Sequence, residues 1–325
     1  MNNIPKLDMK DRKILIELDK NARLSHNIIA KRVGLNTGLV RYRIHRLEQR
    51  GVIAWHLTFV NFAQFGYTNY GVYLNTHKLT KQKEAEFVDY FQDHSHVTYF
   101  AKLGGKYDFL IAILARNVLE FQAILSKMMD RYGEFIINKD IAIRLQLMHF
   151  PKKYLSDKKE TYVMPHFGGS IENKSLDELD KKILHHLSVD ARINVVDLAR
   201  KVKTPASTVT LRMKKLQEKN IIDGFFTFVR CQSYGYQNYI ITLSFRNLSK
   251  IQEQKLYEFC KTNLYIVYII KTMGKWDFEL SVEVPDQGTY QLLLVALRDT
   301  FADLIVSLES IMLFSDLKYN LYPFE

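Results

Sequence analysis

The feature that most constrains this chain is an internal repeat. Shifted by 169 residues the sequence matches itself: Leu7-Asp8 falls on Leu176-Asp177, Ile14-Leu15 on Ile183-Leu184, Ala22-Arg23 on Ala191-Arg192 and Leu47 on Leu216. Between residues 7 and 53, 15 of 47 positions are identical in the second copy. The register still holds at Gly66-Tyr67 against Gly235-Tyr236. It holds again at Gly105-Lys106 and Asp108-Phe109 against Gly274-Lys275 and Asp277-Phe278. A register kept over about 100 residues means two copies of one architecture rather than a shared short motif. Each copy divides into a small basic module and a larger neutral one. The expected organisation is 1–61, 62–150, a linker at 151–174, then 175–230 and 231–325. The linker is read from its charges, its Gly168-Gly169 pair and its lack of helical periodicity.

Charge is what separates the two kinds of module. Residues 1–61 hold 12 lysines and arginines against 5 acidic residues, and residues 175–230 hold 11 against 7. Those windows account for the whole net charge of +11, so the remaining 208 residues sum to zero. Positive charge confined to two segments points to a polyanion held at two places, nucleic acid above all. The plainer alternative is solubilising lysine on solvated faces. At 47% hydrophobic and 25% charged the chain is an ordinary globular one. Two cysteines, Cys231 and Cys260, make no disulfide framework. The longest apolar runs, at 109–115 and 265–270, are too short to span a bilayer, and residues 1–6 hold no apolar signal core. A cytoplasmic protein without membrane contact is expected.

The basic module reads as three helices and a hairpin. Asp8 caps a helix carrying Leu7, Ile14, Leu15 and Leu18; a short helix follows near 28–33, and Gly34-Leu35 turns the chain. Asn36 then caps a third helix running to about Arg50, with Val40, Ile44 and Leu47 as its buried stripe. Gly51 ends it, and residues 52–60 read as strand, the place for a wing. In the second copy Thr204-Pro205 supplies cap and first-turn proline, and Val209, Met213 and Leu216 repeat the stripe. Two helices at a sharp turn, the second basic, make a helix-turn-helix. Off the stripe the first copy presents Asn36, Thr37, Gly38, Arg41, Tyr42, His45 and Arg46, with Arg43 on the flank. Arginine grips guanine edges or phosphate by paired hydrogen bonds, which suits a major groove. The second copy presents Ala206, Ser207, Thr208, Thr210, Leu211, Lys214 and Lys215. Lysine acts more as a point charge, so the second head is expected to hold backbone more than read bases.

The neutral module reads as βαββαβ. Strands are expected at 67–74, 97–103, 107–114 and 135–147, with helices at 80–92 and 118–132. The second copy gives strands at 236–245, 265–272, 276–284 and 304–314 and helices at 251–260 and 289–301. That order makes a ferredoxin-like sandwich, four antiparallel strands with two helices on one face. The bare sheet face needs covering, and pairing between sheets supplies it. The fold class is therefore α+β, a tandem repeat of winged helix-turn-helix followed by a ferredoxin-like βαββαβ domain.

The stretch Leu7-Asp8, Asp11, Ile14-Leu15, Ala22-Arg23, Ala30, Val33-Gly34-Leu35, Val40, Arg43, Leu47-Glu48, Gly51-Val52-Ile53 resembles the Lrp/AsnC (feast/famine) transcription regulators. The resemblance covers nearly all of both repeats. It implies sequence-specific DNA binding, a ligand-sensing role for the ferredoxin-like domain, and dimers formed through the sheets, often assembled further into homo-oligomers. A fused chain is then a built-in pseudo-dimer, with asymmetric half-sites about one helical turn, ~34 Å, or a multiple apart. The turns at Gly105 and Asp108, and at Gly274 and Asp277, are similar to the family's effector loop, and the resemblance implies a small molecule such as an amino acid there. Adjacent glycines let backbone amides approach a carboxylate, and an aspartate receives an ammonium; a plain hairpin connection is the alternative. The second copy departs from the family in having Lys203-Thr204-Pro205 for the usual Gly-Leu-Ser.

Siroheme decarboxylases resemble the same two-domain fold and occur as fused pairs, so a tetrapyrrole enzyme is the alternative from another class, with an architectural DNA binder as a third. Enzyme candidates would be His94, His96, Arg144 and His149, whose counterparts in the second copy are Asn263, Tyr265, Leu313 and Lys318. No repeated motif joins them. His94 and His96 lack a third partner at metal-ligand spacing, and no phosphate loop or nucleophile elbow is present. No catalytic residue, metal or cofactor is expected.

Overall fold

Asp8 opens the first helix as read: its carboxylate accepts from the Asp11 backbone N–H at 2.8 Å, and Asp11 reaches back to Asp8 in a capping box. The computed structural model describes residues 6–156 and 165–324; residues 1–5, at the head of the first expected module, and 157–164, in the expected linker, lie outside it. Helices α1 (Met9–Lys20), α2 (His26–Val33) and α3 (Thr37–Gln49) pack around Ile14, Leu15, Leu18, Ile29, Val33, Val40, Ile44 and Leu47, all buried. A strand, β1 (Ile53–Val60), follows. The second copy repeats the order with α6 (Glu178–Val189), α7 (Val195–Lys201), α8 (Ala206–Glu218) and β7 (Ile222–Val229).

No hairpin forms within either module. A lone strand leaves its ladder groups unpaired, and β1 satisfies them on β7 of the other copy, antiparallel, with Leu57 opposite Phe226. Those two residues are 169 apart, so the pair lies on a pseudo-twofold axis relating the repeats. The expected wing strand is thus the joint between the two helix-turn-helix modules.

The neutral modules are β2 (Thr68–Thr76), α4 (Lys81–Asp93), β3 (Val97–Gly104), β4 (Phe109–Ala115), α5 (Val118–Tyr132), β5 (Ile136–His149) and, in the second copy, β8 (Gln237–Phe245), α9 (Lys250–Thr262), β9 (Ile266–Gly274), β10 (Phe278–Val284), α10 (Gln287–Thr300), β11 (Ile305–Tyr319). The strand orders are β5-β2-β4-β3 and β11-β8-β10-β9, both ferredoxin-like. The last strand of each copy runs past its own sheet. β5 pairs β2 over residues 136–144 and β9 over 142–149, while β11 pairs β8 over 305–313 and β3 over 312–319. The two sheets thereby close into one ring of eight antiparallel strands with no open edge between the copies. The sheet pairing expected from the sequence is made within a single chain. Helices α4 and α5 pack outside the first sheet on Phe87, Phe91, Phe121 and Met128; α9 and α10 cover the second on Leu256, Cys260, Leu293 and Leu297.

The expected linker is not a free tether where it is described. Tyr154 and Leu155 are buried in the core of the first helix-turn-helix. The short strand β6 (His166–Gly168) pairs with β5, and Phe167 packs its ring on Phe59 and Phe62. Gly168 is required there: a Cβ would stand 2.0 Å from the Leu145 carbonyl oxygen. Among the described residues no helix is long and apolar enough to cross a membrane.

Candidate nucleic-acid interface

Three caps shape the first reading head. Ser25 caps α2 by accepting from the Ile28 N–H, Gly34 closes α2 at φ +66°, and Asn36 caps α3 by accepting from the Leu39 N–H at 2.8 Å. Lys10 Nζ donates to the Val33 and Gly34 carbonyls at 2.6 and 3.1 Å, complementing the carboxyl end of the α2 dipole. The second head keeps the turn without the glycine, because Lys203 adopts φ +53° at the matching place. Its helix begins one residue later than expected. Pro205 holds the N-cap position with no side-chain cap, and the Thr204 hydroxyl donates to the Val202 carbonyl instead. Thr204 therefore does not cap α8.

The outward faces separate by what their side chains touch. Thr37, Gly38, Arg41, Tyr42 and His45 are exposed, and Arg41 makes no hydrogen bond or ion pair among the described residues. Thr37 donates to the Asn27 side chain at 2.6 Å, tying the start of α3 to α2. Arg46 is placed differently from the sequence expectation. Its Nη2 donates to both oxygens of Asp11 at 2.7 and 2.9 Å, and Asp11 is 2% exposed. Arg43 joins them, donating to Asp8 at 2.6 Å and Asp11 at 2.8 Å. Both arginines thus brace α3 against α1, and Arg41 is left as the free guanidinium on the helix face. Burial, then Arg192 and Arg41, hold His26 below the ordinary histidine range, so this neighbour adds no charge at neutral pH.

On α8, Ser207, Thr210, Lys214 and Lys215 are exposed and Thr208 is half-buried. The Thr210 hydroxyl donates to the Ala206 carbonyl at 2.9 Å. Arg212 repeats the brace of Arg43, reaching Asp177 at 2.5 Å and Asp180 at 3.3 Å. Lys215, the counterpart of Arg46, makes no hydrogen bond or ion pair among the described residues.

Sequence reasoning missed what holds the two heads together. Arg23 Nη1 donates to the carbonyls of Ala191 and Ile193 at 2.5 and 3.0 Å, and Arg192 donates to those of Ala22 and Leu24. The backbone completes the exchange, Ala22 N–H to Phe225 O and Ala191 N–H to His56 O, each at 3.0 Å. Ala22-Arg23 and Ala191-Arg192 are identical across the repeats, and that identity was the available signal.

A family model described as an AsnC-type helix-turn-helix domain matches residues 176–217, and one described as winged helix-turn-helix DNA-binding matches residues 7–54. The HTH-type transcriptional regulator Ptr1 of Methanocaldococcus jannaschii is 33% identical over 104 residues, 31% of this chain and 68% of that protein. An uncharacterized HTH-type regulator of Pyrococcus abyssi is 31% identical over 110 residues, 33% of this chain and 72% of its own length. The chain belongs to the Lrp/AsnC family. Some relatives match over less: a second Pyrococcus abyssi regulator, 46% identical over 57 residues, shares 35% of its length, so the chain spans about a third of it. At whole-chain scale the Lrp/AsnC-family chain has the fold of the siroheme decarboxylase NirDL, with a TM-score of 0.61 at 11% identity over 97% of this chain and 94% of that one.

The turns resembling the family's effector loop are internally committed. Asp108 accepts from the Thr76 N–H at 2.6 Å and its hydroxyl at 3.0 Å, and Asp277 accepts from the Phe245 N–H at 2.7 Å. Lys106 reaches Glu309 at 2.7 Å, and Lys275 reaches Asp140 at 3.5 Å. Glu309 and Asp140 are again 169 apart, so these ion pairs staple the two seams of the ring. Gly105 and Gly274 take positive φ, as tight turns demand. Of the tetrapyrrole candidates His94 and His96 are neighbours, their ring centroids 6.0 Å apart, while Arg144 and His149 have partners of their own. Arg144 pairs with Glu279 at 2.7 Å inside the ring, and buried His149 stands 3.6 Å from Asp19, its pKa pushed down by burial to about 3. His96 Nδ1 lies 3.0 Å from the Leu114 carbonyl, and burial, then His96, lower His94 to about 4. Among the described residues no group of three or more metal-ligating side chains is assembled.

Proposed function

We propose that this chain is a sequence-specific, double-stranded-DNA-binding transcription regulator in which one polypeptide carries both reading heads of a dimer. The observation carrying this reading is the joint: the β1–β7 ribbon and the reciprocal Arg23 and Arg192 clasps hold two helix-turn-helix modules about one pseudo-twofold axis. DNA is itself pseudo-twofold symmetric, so two modules related this way suit two half-sites. On the first head Arg41 reads base edges, with Thr37, Tyr42 and His45 beside it. On the second, Lys214 and Lys215 with Ser207 and Thr210 hold phosphates. The half-sites are therefore unequal. The protein works in the cytoplasm, without chemistry of its own, and the barrel modulates the heads by binding a small molecule. Any further homo-oligomer must form without the sheet edges, which are closed between the copies.

Selection of genomic fragments by the purified protein at near-physiological salt tests this reading. Enrichment of one lopsided bipartite motif supports it. Retention without a motif turns the reading to an architectural DNA binder. No retention even at low salt refutes it, and tetrapyrrole titration then takes its place, on the strength of the fold shared with NirDL.

A further inference from the structure

The ring of strands is not filled. Inside it lies a cavity of about 80 Å³, several times the ~10–15 Å³ that admits one water. Most of its wall is apolar, from Leu110, Ala112, Ile240 and Leu313. Buried polar side chains interrupt that wall, among them Asn69, Arg144 and Asp316. Arg144 Nε and Asn69 Oδ1 are fully buried with no hydrogen-bond partner, on residues that face each other across β2 and β5. Asp316, 4% exposed, has one hydrogen bond among the described residues, accepted from Tyr99 Oη at 2.6 Å.

The two halves of the interior are chemically unlike. Leu110 and Leu313 occupy the positions that Glu279 and Arg144 occupy in the other repeat, and Leu114 and Leu321 match Glu283 and Lys152. On the polar side, Arg144 is neutralised by Glu279 at 2.7 Å and Lys152 by Glu283 at 2.5 Å. Asp316 is the wall's one carboxylate that no described cation pairs; its counterpart is Leu147. Space has been kept for Arg144, since a Cβ on Gly71 would stand 3.0 Å from its Nε. Leaving a buried donor, acceptor and carboxylate under-satisfied is costly unless something completes them.

We propose that this cavity binds one small primary amine per chain, with its ammonium at Asp316, an amide or similar donor–acceptor group at Arg144 and Asn69, and an apolar body against the leucine side. The unpaired carboxylate selects the cation, and aromatic side chains, Tyr99, Tyr268 and Phe228, also line the cavity. The unpartnered N–H and oxygen, on cross-strand neighbours, select the amide. Burial pushes Asp316 up to about 6, a cost that an ammonium beside it would remove. The cavity wall reaches the DNA-binding half through Phe228 on β7 and Phe167, which packs on Phe59 and Phe62. Transmission to DNA rests on the regulator reading above; binding itself does not.

The test is calorimetric titration of the full chain, without DNA, by L-leucinamide, which has an ammonium, an isobutyl body and an amide. Saturation at one molecule per chain is expected. Asp316→Asn keeps the shape and an acceptor for Tyr99, and should weaken binding about tenfold or more, the loss of one charge-assisted hydrogen bond. 4-Methylpentanamide, lacking the ammonium, should show the same loss against the unmodified protein. Ala112→Val, which intrudes on the cavity, should weaken binding while circular dichroism and melting confirm the fold. Two sites per chain, indifference to Asp316→Asn and Ala112→Val, or no saturation at millimolar probe would each overturn the proposal. Because DNA is absent, failure here leaves the DNA reading standing, and failure of DNA selection leaves this one.

Discussion

Arg46 and Lys215 stand at the same position of α3 and α8, but Arg46 is tied to Asp11 whereas Lys215 makes no hydrogen bond or ion pair among the described residues. Replacing Arg46 by alanine removes both short hydrogen bonds from Nη2 to Asp11, leaving Asp11 Oδ2 with only the Asp8 N–H at 3.4 Å. Hydrogen bonds to a charged group are worth about 1.5–3 kcal/mol when the partner is left buried. The Arg46 side chain is 27% exposed and Arg43 still serves Asp11, so water and the neighbouring guanidinium recover part of this. A loss of about 1–2 kcal/mol in the first module is expected. Lys215→Ala removes no such contact and should change stability by under about 0.5 kcal/mol. The assay is hydrogen exchange resolved to α1 and α3, or to α6 and α8, because a chain of several modules need not unfold in one step. Arg46→Ala should speed exchange in α1 and α3, while Lys215→Ala should leave α6 and α8 unchanged and lower the salt slope of DNA binding by about 1. If Arg46→Ala leaves exchange unchanged and lowers the salt slope, the brace to Asp11 does not hold in solution and Arg46 contacts phosphate.

Arg41→Ala should reduce affinity for the selected site by about 1–3 kcal/mol more than for a scrambled one, measured by competition binding; equal losses would remove it from base reading. Arg192→Ala opens one clasp between the modules, and should weaken binding to a two-half-site fragment while sparing a single half-site; equal effects would deny the joint its role. Asp316 has a folded pKa raised to about 6, above the ordinary 3.8. Its contribution to stability is present below about 4 and lost as pH rises through 6, so Asp316→Asn should stabilise the protein by about 1–3 kcal/mol at pH 8 and by little at pH 4. Urea titrations at the two pH values check this, and an equal gain at both would refute it.

What could be read from the sequence was the repeat, the elements of each module and their ferredoxin-like order. Helical spacing located the Val40, Ile44, Leu47 stripe, and the turn residues Gly34, Asn36 and Gly51 marked the ends of α2 and α3. Choice of partner strand was not legible. Residues 52–60 carry the pattern of a strand, but nothing local says that β1 pairs with β7 across the repeats or that β5 and β11 each serve two sheets. The reading face shows the same limit. On a helical wheel Arg41 and Arg46 both point outward, and only Asp11, from another helix, takes Arg46 away. Asp108 and Asp277 looked like ligand groups because their sequence neighbours are glycine and lysine, yet their partners, Thr76 and Phe245, are 32 residues earlier. The cavity escaped because its polar residues lie far apart in the chain, and their meaning emerges only against their apolar counterparts 169 residues away.

The most direct test of the account is the mass of the complex on a selected bipartite site, by native mass spectrometry, together with its footprint. One chain per DNA, protecting two unequal half-sites on the same face of the duplex, is the predicted result. Two chains per site, or one chain protecting a single half-site, would contradict the claim that one polypeptide carries both reading heads.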